Sequence, residues 1–197
     1  MAQAVSEPLP VEAKPRRWRP NMRLWGPIGL LIAGSAVYSA ICEWRDSHGL
    51  LINTSESLPN WAFVIHKTAR PERGQYVFFV PPAHPLVVRH FGAKKQMFGK
   101  IVYGMPGDVV SHRGAEVLVN GKVVARMKPR TRFGEPLAAG PVGVIPPQCY
   151  FVGTPHKDGF DSRYAAIGYA CAKKIVGVGE AIPVSYTHLT LPTKRIV

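Results

Sequence analysis

The sequence predicts a mostly β, antiparallel domain behind one N-terminal transmembrane helix. Three observations carry this expectation. An uncharged apolar run, "LWGPIGLLIAGSAVYSAIC" from Leu24 to Cys42, lies near the start of the 197-residue chain. After it come short alternating or β-branched runs, each bounded by Gly, Pro, Asn or Asp. Gly and Pro number 19 each, which favours frequent turns over long helices.

The apolar run matches the ~20 residues a helix needs to cross ~30 Å of hydrocarbon. Trp25, Tyr38 and Trp44 suit an interfacial position, and Pro27 suits the first turn, where a missing N–H costs little. Two alternatives stay open. Gly29, Ala33, Gly34 and Ser35 would also suit a buried core helix, and "AGSAVYSA" has the small residues of a signal cleavage site. The length of the run and the long segment before it favour an uncleaved anchor. Lys14, Arg16, Arg17, Arg19 and Arg23 precede the run, whereas Glu43, Arg45 and Asp46 follow it. By the positive-inside rule, residues 1–23 form a basic cytoplasmic tail and residues 24–43 the anchor, with a domain over 47–184 on the far side.

Within that domain "WAFVIHK", "GQYVFFVPP", "LVVRHF", "GKIVYGM", "DVVSHRG", "AEVLVNGKVVAR", "QCYFVGT" and "KKIVGVGEAIPV" read as strands. Asn120-Gly121 between two alternating runs predicts a two-residue hairpin turn. No helical periodicity follows the anchor, apart from a short turn near Ala165. The final "VSYTHLTLPTKRIV" follows a natural end at "GEAIPV"; residues 185–197 read as a non-native or disordered tail, or else a short terminal strand.

The net charge of +13 is dispersed along the chain. Zinc-finger spacing, a basic helix and an RNA-recognition signature are all missing, so anionic lipid is expected as the partner and nucleic acid is not. No Cys/His pair has metal-ligand spacing, and neither a metal nor a cofactor is expected.

Three segments carry chemistry. "NTSESLPNWAF" holds a serine two residues before a proline. "GKIVYGMPGD" places Lys100 among Met97, Phe98, Ile101, Val102 and Tyr103, with no carboxylate within seven residues on either side. "DGFDSRYAAIG" holds Asp161, Ser162 and Arg163. In this order, after one anchor, they resemble the bacterial type I signal peptidases, most of all the conjugative-transfer (TraF-type) branch. The resemblance covers roughly residues 24–180.

This resemblance implies a signal-peptidase-like catalytic domain in the periplasm, held by a single pass through the inner membrane. Its serine endopeptidase would use a Ser/Lys dyad, with Ser57 as nucleophile and Lys100 as general base. The backbone N–H of Ser57 and the hydroxyl of Ser55 would form the oxyanion hole. Thr54 and Ser55 are rival nucleophiles, and a histidine-based triad stays open because triads are set by geometry. A lysine can act as base only when neutral, which requires its pKa to fall from ~10.4 towards ~7–8; desolvation among apolar neighbours can do that.

Gly104, Pro106, Gly107 and Asp108 read as a tight turn ending the lysine strand. Asp161 and Arg163 read as an ion pair holding the third segment. Where the family commonly has a serine near the lysine, this chain has Gly159, so Ser162 or Thr154 is expected to orient the amine, and Gly159→Ser to keep or raise activity. Cys149 and Cys171 form either a disulfide, allowed in an oxidising compartment, or two buried thiols.

The partners implied are precursor proteins with small residues, commonly Ala-x-Ala, before the cleavage site. A pilin or another conjugative-transfer or secretion component is the expected substrate. Two other readings remain: a catalytically weakened structural component of a conjugation or secretion apparatus, and a general housekeeping signal peptidase.

Overall fold

A computed structural model describes residues 22–53, 58–94 and 96–183. The tail preceding residue 22 and the terminal segment from residue 184 onward lie outside the described residues. The chain divides into two compact units, Met1–Cys42 and Glu43–Val197.

In the first unit, helix α1 (Met22–Ser47) begins, and it runs on past Cys42 into the second. From Trp25 to Ser47 it is long and apolar enough to cross a membrane, and none of that window is buried within the protein. Leu30, Leu31 and Ile32 are all largely exposed, as a lipid-facing surface requires. Pro27 falls in the second turn of this helix rather than its first.

The second unit is built almost wholly of antiparallel strands. These are β1 (His48–Ile52), β2 (Ala62–His66), β3 (Tyr76–Phe79), β4 (Phe98–Gly104), β5 (Val109–Arg113), β6 (Glu116–Val119), β7 (Lys122–Arg126), β8 (Gly143–Val144), β9 (Cys149–Gly153), β10 (Ala170–Cys171) and β11 (Ile175–Ala181). Seven form one sheet in the order β1-β2-β11-β3-β4-β9-β10, and four form a second, β7-β6-β5-β8. The β6–β7 hairpin turns at Asn120 and Gly121, both with positive φ, as the Asn-Gly signal predicts.

One expected strand is a helix. "LVVRHF" forms α2 (Pro85–Phe91), because the His84 side chain caps its start by accepting from the Leu86 amide, Pro85 pre-sets the first turn and Gly92 ends it. The run is apolar, but capping at both ends outweighs its β-branched composition.

Phenylalanines from neighbouring strands make the core. Phe63 and Phe78 meet edge-to-face at 5.1 Å and pack with Leu58 and Ile65. A second cluster gathers Val77, Phe79, Phe98, Val102 and Val152 under α2. A third, of Val110, Val117, Ile145 and Phe151, joins the small sheet to the large one. These clusters lie on either side of β3 and β4, so the strand bearing Lys100 is central.

Candidate active site

Lys100 is the third residue of β4, and strict alternation puts it on the same buried face as Phe98 and Val102. It is only 5% exposed. Its Nζ stands 5.8 Å from the centre of the Phe98 ring, and among the described residues none gives it a salt bridge or hydrogen bond. Burial pushes its pKa below the ordinary lysine value; the nearby Asp161 carboxylate opposes that shift, and the Arg163 charge adds to it. A shift in this direction favours the neutral amine, the form that a general base requires.

The third motif lies beside this lysine. β4 pairs with β9 through Ile101–Gly153 and Val102–Val152, so the same register continued by one residue sets Thr154 opposite Lys100. The amide of Thr154 donates to Asp161 Oδ2 at 3.1 Å. Arg163 donates from Nε to Asp161 Oδ1 at 2.8 Å and from Nη2 to Asp161 Oδ2 at 2.9 Å, a bidentate pair with both residues buried. Its remaining donors reach the carbonyls of Thr154 at 2.7 Å and Arg126 at 3.2 Å. Arg163 thereby ties the third motif to the end of β9 and to the small sheet.

Ser162 and Gly159 depart from the sequence expectation. The Ser162 hydroxyl accepts from the Val152 amide at 3.0 Å, and the Ser162 amide donates to the Val152 carbonyl, so the residue is bound to β9 rather than to Lys100. At Gly159 an added Cβ would lie 2.3 Å from Thr154 Cγ2 and 2.8 Å from Asp161 Oδ2. A serine therefore does not fit without moving the Asp161–Arg163 pair, and the expectation that Gly159→Ser keeps or raises activity is withdrawn. The glycine lets the loop close over the ion pair.

Ser57, with Thr54, Ser55 and Glu56, lies outside the described residues. Both ends of that segment are placed, however. Leu58 is buried, and its Cδ1 would lie 3.0 Å from a Cβ built on Gly99, so the residue after Ser57 packs against the residue before Lys100. At the other end Asn53 donates from its amide to the Trp61 carbonyl at 2.6 Å. Its side-chain Nδ2 donates to the carbonyls of Leu58 at 3.2 Å and Asn60 at 2.8 Å. Sequence reasoning passed over Asn53 and Tyr76, which donates to Asn60 Oδ1 at 2.9 Å. An asparagine before a serine-rich stretch reads as one more turn residue, and nothing in the sequence says where its donors go.

Beyond Lys100 the strand ends where Gly104 abuts Ile145 and Phe151; a Cβ there would lie 2.5 Å from Ile145 Cδ1. Pro106 and Gly107 make the turn, with Gly107 at φ +90°. Asp108 accepts from the Met105 amide at 2.6 Å, from Arg73 at 2.5 Å and from Asn120 at 2.7 Å. Partial burial pushes its carboxyl pKa up, but these hydrogen bonds outweigh that and hold it below the ordinary value. Cys149 and Cys171 are cross-strand partners in β9–β10 and are disulfide-bonded. Among the described residues no group of His, Cys, Asp and Glu is placed to hold a metal ion.

Comparison with known proteins adds the family. No curated protein matches this chain. Among solved structures, the crystal structure of a signal peptidase I from Enterococcus faecalis aligns at 21% identity, covering 56% of this chain and 97% of that one, with a TM-score of 0.37. The signal peptidase, peptidase S26 family matches over residues 22–184, which takes in the apolar helix and the whole β domain. On that match, this chain belongs to the peptidase S26 signal peptidases, serine peptidases that act on precursor proteins.

Proposed function

We propose that this chain is a membrane-anchored endopeptidase in which Ser57 and Lys100 form the catalytic dyad. The observation that carries the reading is Lys100: a lysine 5% exposed on a central strand, with no carboxylate paired to it among the described residues. A structural lysine would reach solvent or a counter-ion. The packing of Leu58 on Gly99 supports the assignment of its neighbour, Ser57, because it brings the two motifs together.

In this reading neutral Lys100 Nζ takes the proton from Ser57 Oγ as the oxygen attacks the scissile carbonyl. The developing oxyanion is held by the Ser57 amide and the Ser55 hydroxyl. The proton passes to the leaving amine, and a water deprotonated by the same lysine releases the acyl-enzyme. Thr154, opposite Lys100 in the extended register, is better placed than Ser162 to steer the amine.

The substrates are exported precursors with small residues before the cut, and the conjugative-transfer reading makes a pilin or another transfer component the favoured one. Residues 1–23 are cytoplasmic, and the catalytic domain, spanning 47–184, is periplasmic. The rival reading of a weakened structural component would rest on Gly159, where the family's hydroxyl near the lysine is missing, and the packing around that glycine supplies a structural reason for it instead.

Co-expression with a candidate pilin precursor tests the proposal. Processing by the intact protein and none by Ser57→Ala is the expected result; equal processing by both would end the enzyme reading.

A further inference from the structure

We infer that the end of the β domain carrying α2 docks on anionic phospholipid head groups: Lys94, Lys173 and Lys174 meet the phosphates, and Val88 enters among them. The inference rests on the membrane-anchored reading of α1 and is independent of the dyad.

The sheet register decides which end of the domain meets the bilayer. α1 ends at Ser47 and the chain enters the sheet at His48, without a linker. His48 pairs with His66, His66 with Val178, Val178 with Val77 and Val77 with Lys100, so one cross-strand row runs from the chain's entry to the lysine. The Lys67 amide donates to the Ser47 carbonyl, so β2 runs towards the entry end. All these pairings are antiparallel, and β3 therefore runs towards that end as well, with β4 returning from it. Helix α2, which joins β3 to β4, leaves the sheet on the side where the chain enters it. In the order β1-β2-β11-β3, three strand spacings separate entry and exit, roughly 15 Å.

This end is basic, and its acids are already taken. The Val80 amide, just past β3, donates to the Lys174 carbonyl at 2.9 Å, which seats the short helical turn Ala172–Lys174 beside the approach to α2. Lys94 follows α2 and lines, with Pro81, Pro82, Val88 and Phe91, an apolar cavity of about 70 Å³. Lys94, Lys173 and Lys174 are exposed, and among the described residues none of them has a salt bridge. The nearby carboxylates are occupied: Glu135 by Arg89 and His90, Asp158 by Lys128. Glu43 and Asp46 belong to the last turns of α1, at the β1 edge of the sheet.

Val88 stands 41% exposed on this basic surface. A headgroup layer accepts both kinds of side chain, because lysine stems lie along its apolar side while their ammonium groups reach phosphate. Nucleic acid offers phosphates without such a layer. Each lysine near an anionic surface is worth about five-fold in the docking equilibrium. Removing three should therefore lower the docked-to-undocked ratio by on the order of 100-fold.

The experiment uses the full-length protein, with Cys42→Ala, in vesicles of phosphatidylcholine alone or with about one-third phosphatidylglycerol. A fluorophore on Val88→Cys, or on the exposed Ala83→Cys so that Val88 itself is kept, reports contact through quenching by headgroup-spin-labelled lipid. The same fluorophore on Val123→Cys, in β7 of the small sheet, is the reference. Quenching is expected at 88 and 83 in the anionic vesicles, weaker in phosphatidylcholine and absent at 123. It should be lost in about 1 M salt, where the Debye length is ~3 Å, and in the triple variant Lys94→Gln, Lys173→Gln, Lys174→Gln. Equal quenching in the two lipids, equal quenching at 123, or none at 88 and 83 overturns the inference. If quenching is absent while a duplex DNA oligonucleotide binds through the same lysines in detergent, the occupant is nucleic acid and the lipid assignment falls. Alkaline extraction separates the two readings. A chain that washes out of the vesicles removes the anchor and the inference together, whereas an inserted chain without quenching removes the inference alone.

Discussion

Lys100 and Arg163 are two basic residues buried in the same domain, close enough for the Arg163 charge to act on Lys100, and the fold treats them in opposite ways. Arg163 is 2% exposed and has a bidentate carboxylate and two backbone carbonyls. Lys100 is 5% exposed and faces an aromatic ring. Removing a charge from water costs several kcal/mol; for Arg163 the partners offset that cost, and for Lys100 it is left standing. The asymmetry suits the two residue types. A guanidinium keeps its proton throughout the accessible pH range and is useful as a fixed clamp, whereas an amine answers burial by giving its proton up. The contrast separates a residue that holds the site from one that can do chemistry in it.

The largest effect should come from removing the amine. Lys100→Met keeps the length and apolar fit of the side chain, and cleavage should fall by about 10²–10⁴-fold with the domain folded. Lys100→Arg should be as inactive and less stable, since it brings an obligatory charge into a place where no described carboxylate is paired with it. Wild-type cleavage should rise with pH through a midpoint below the free-lysine value, in line with the burial of Lys100. Near-normal cleavage by Lys100→Arg, measured on a purified precursor in detergent, would break the comparison by making the lysine a structural cation.

Next comes the clamp. Asp161→Ala leaves Arg163 buried with carbonyl partners only, and such a deletion typically costs about 3–5 kcal/mol. Denaturant unfolding should record it as a lower midpoint. The variant also sharpens the contrast, because Asp161 holds the Lys100 pKa up; without it the pH midpoint of any remaining cleavage should move down. A stability loss below about 1 kcal/mol would mean that Arg163 is no clamp.

A smaller effect is expected at Gly159. The Cβ of Gly159→Ser meets Thr154 and Asp161 inside van der Waals contact, and overpacking of this kind costs about 1–3 kcal/mol. Activity should drop with stability. Unchanged melting together with raised activity would show that the hydroxyl can be placed near the lysine after all.

How much of this was legible beforehand depended on whether a feature is local. The Asn120-Gly121 turn, the alternation of β4 and the apolar run leading into α1 follow from neighbouring residues, and each was readable. The burial of Lys100 could be expected from its apolar neighbours, but the lack of a carboxylate paired with it among the described residues could not, because Asp161 lies 61 positions on and its carboxylate is taken by Arg163. Helix α2 is not legible from its β-branched composition, which signals a strand, and a histidine cap is a less familiar signal than serine or aspartate. Gly159 was misread for a different reason. A missing hydroxyl is visible in sequence, whereas the side chains that would collide with it are not. The bonds of Asn53 Nδ2 are hidden for the same reason, since they go to backbone carbonyls, which carry no residue identity.

The smallest expected effect is on stability, and its pH dependence is the sharpest test of how Lys100 is held. With its folded pKa below the unfolded value of ~10.4, Lys100 binds a proton in the unfolded chain more readily than in the folded one between those two values. Stability must therefore rise with pH across that window, by at most ~1.4 kcal/mol per unit. Below the folded pKa both states carry the charge, the slope vanishes and the full burial cost remains. Above ~10.4 neither state carries it and the cost is gone. Lys100→Met has no such group. It should melt above the wild type at mildly acidic pH, by roughly 2–8 °C, and the gap should narrow as the pH rises towards 10. A gap that stays constant from pH 6 to 10 would mean that the amine keeps its proton, or finds solvent, in the folded protein. In that case Lys100 and Arg163 would no longer be opposites.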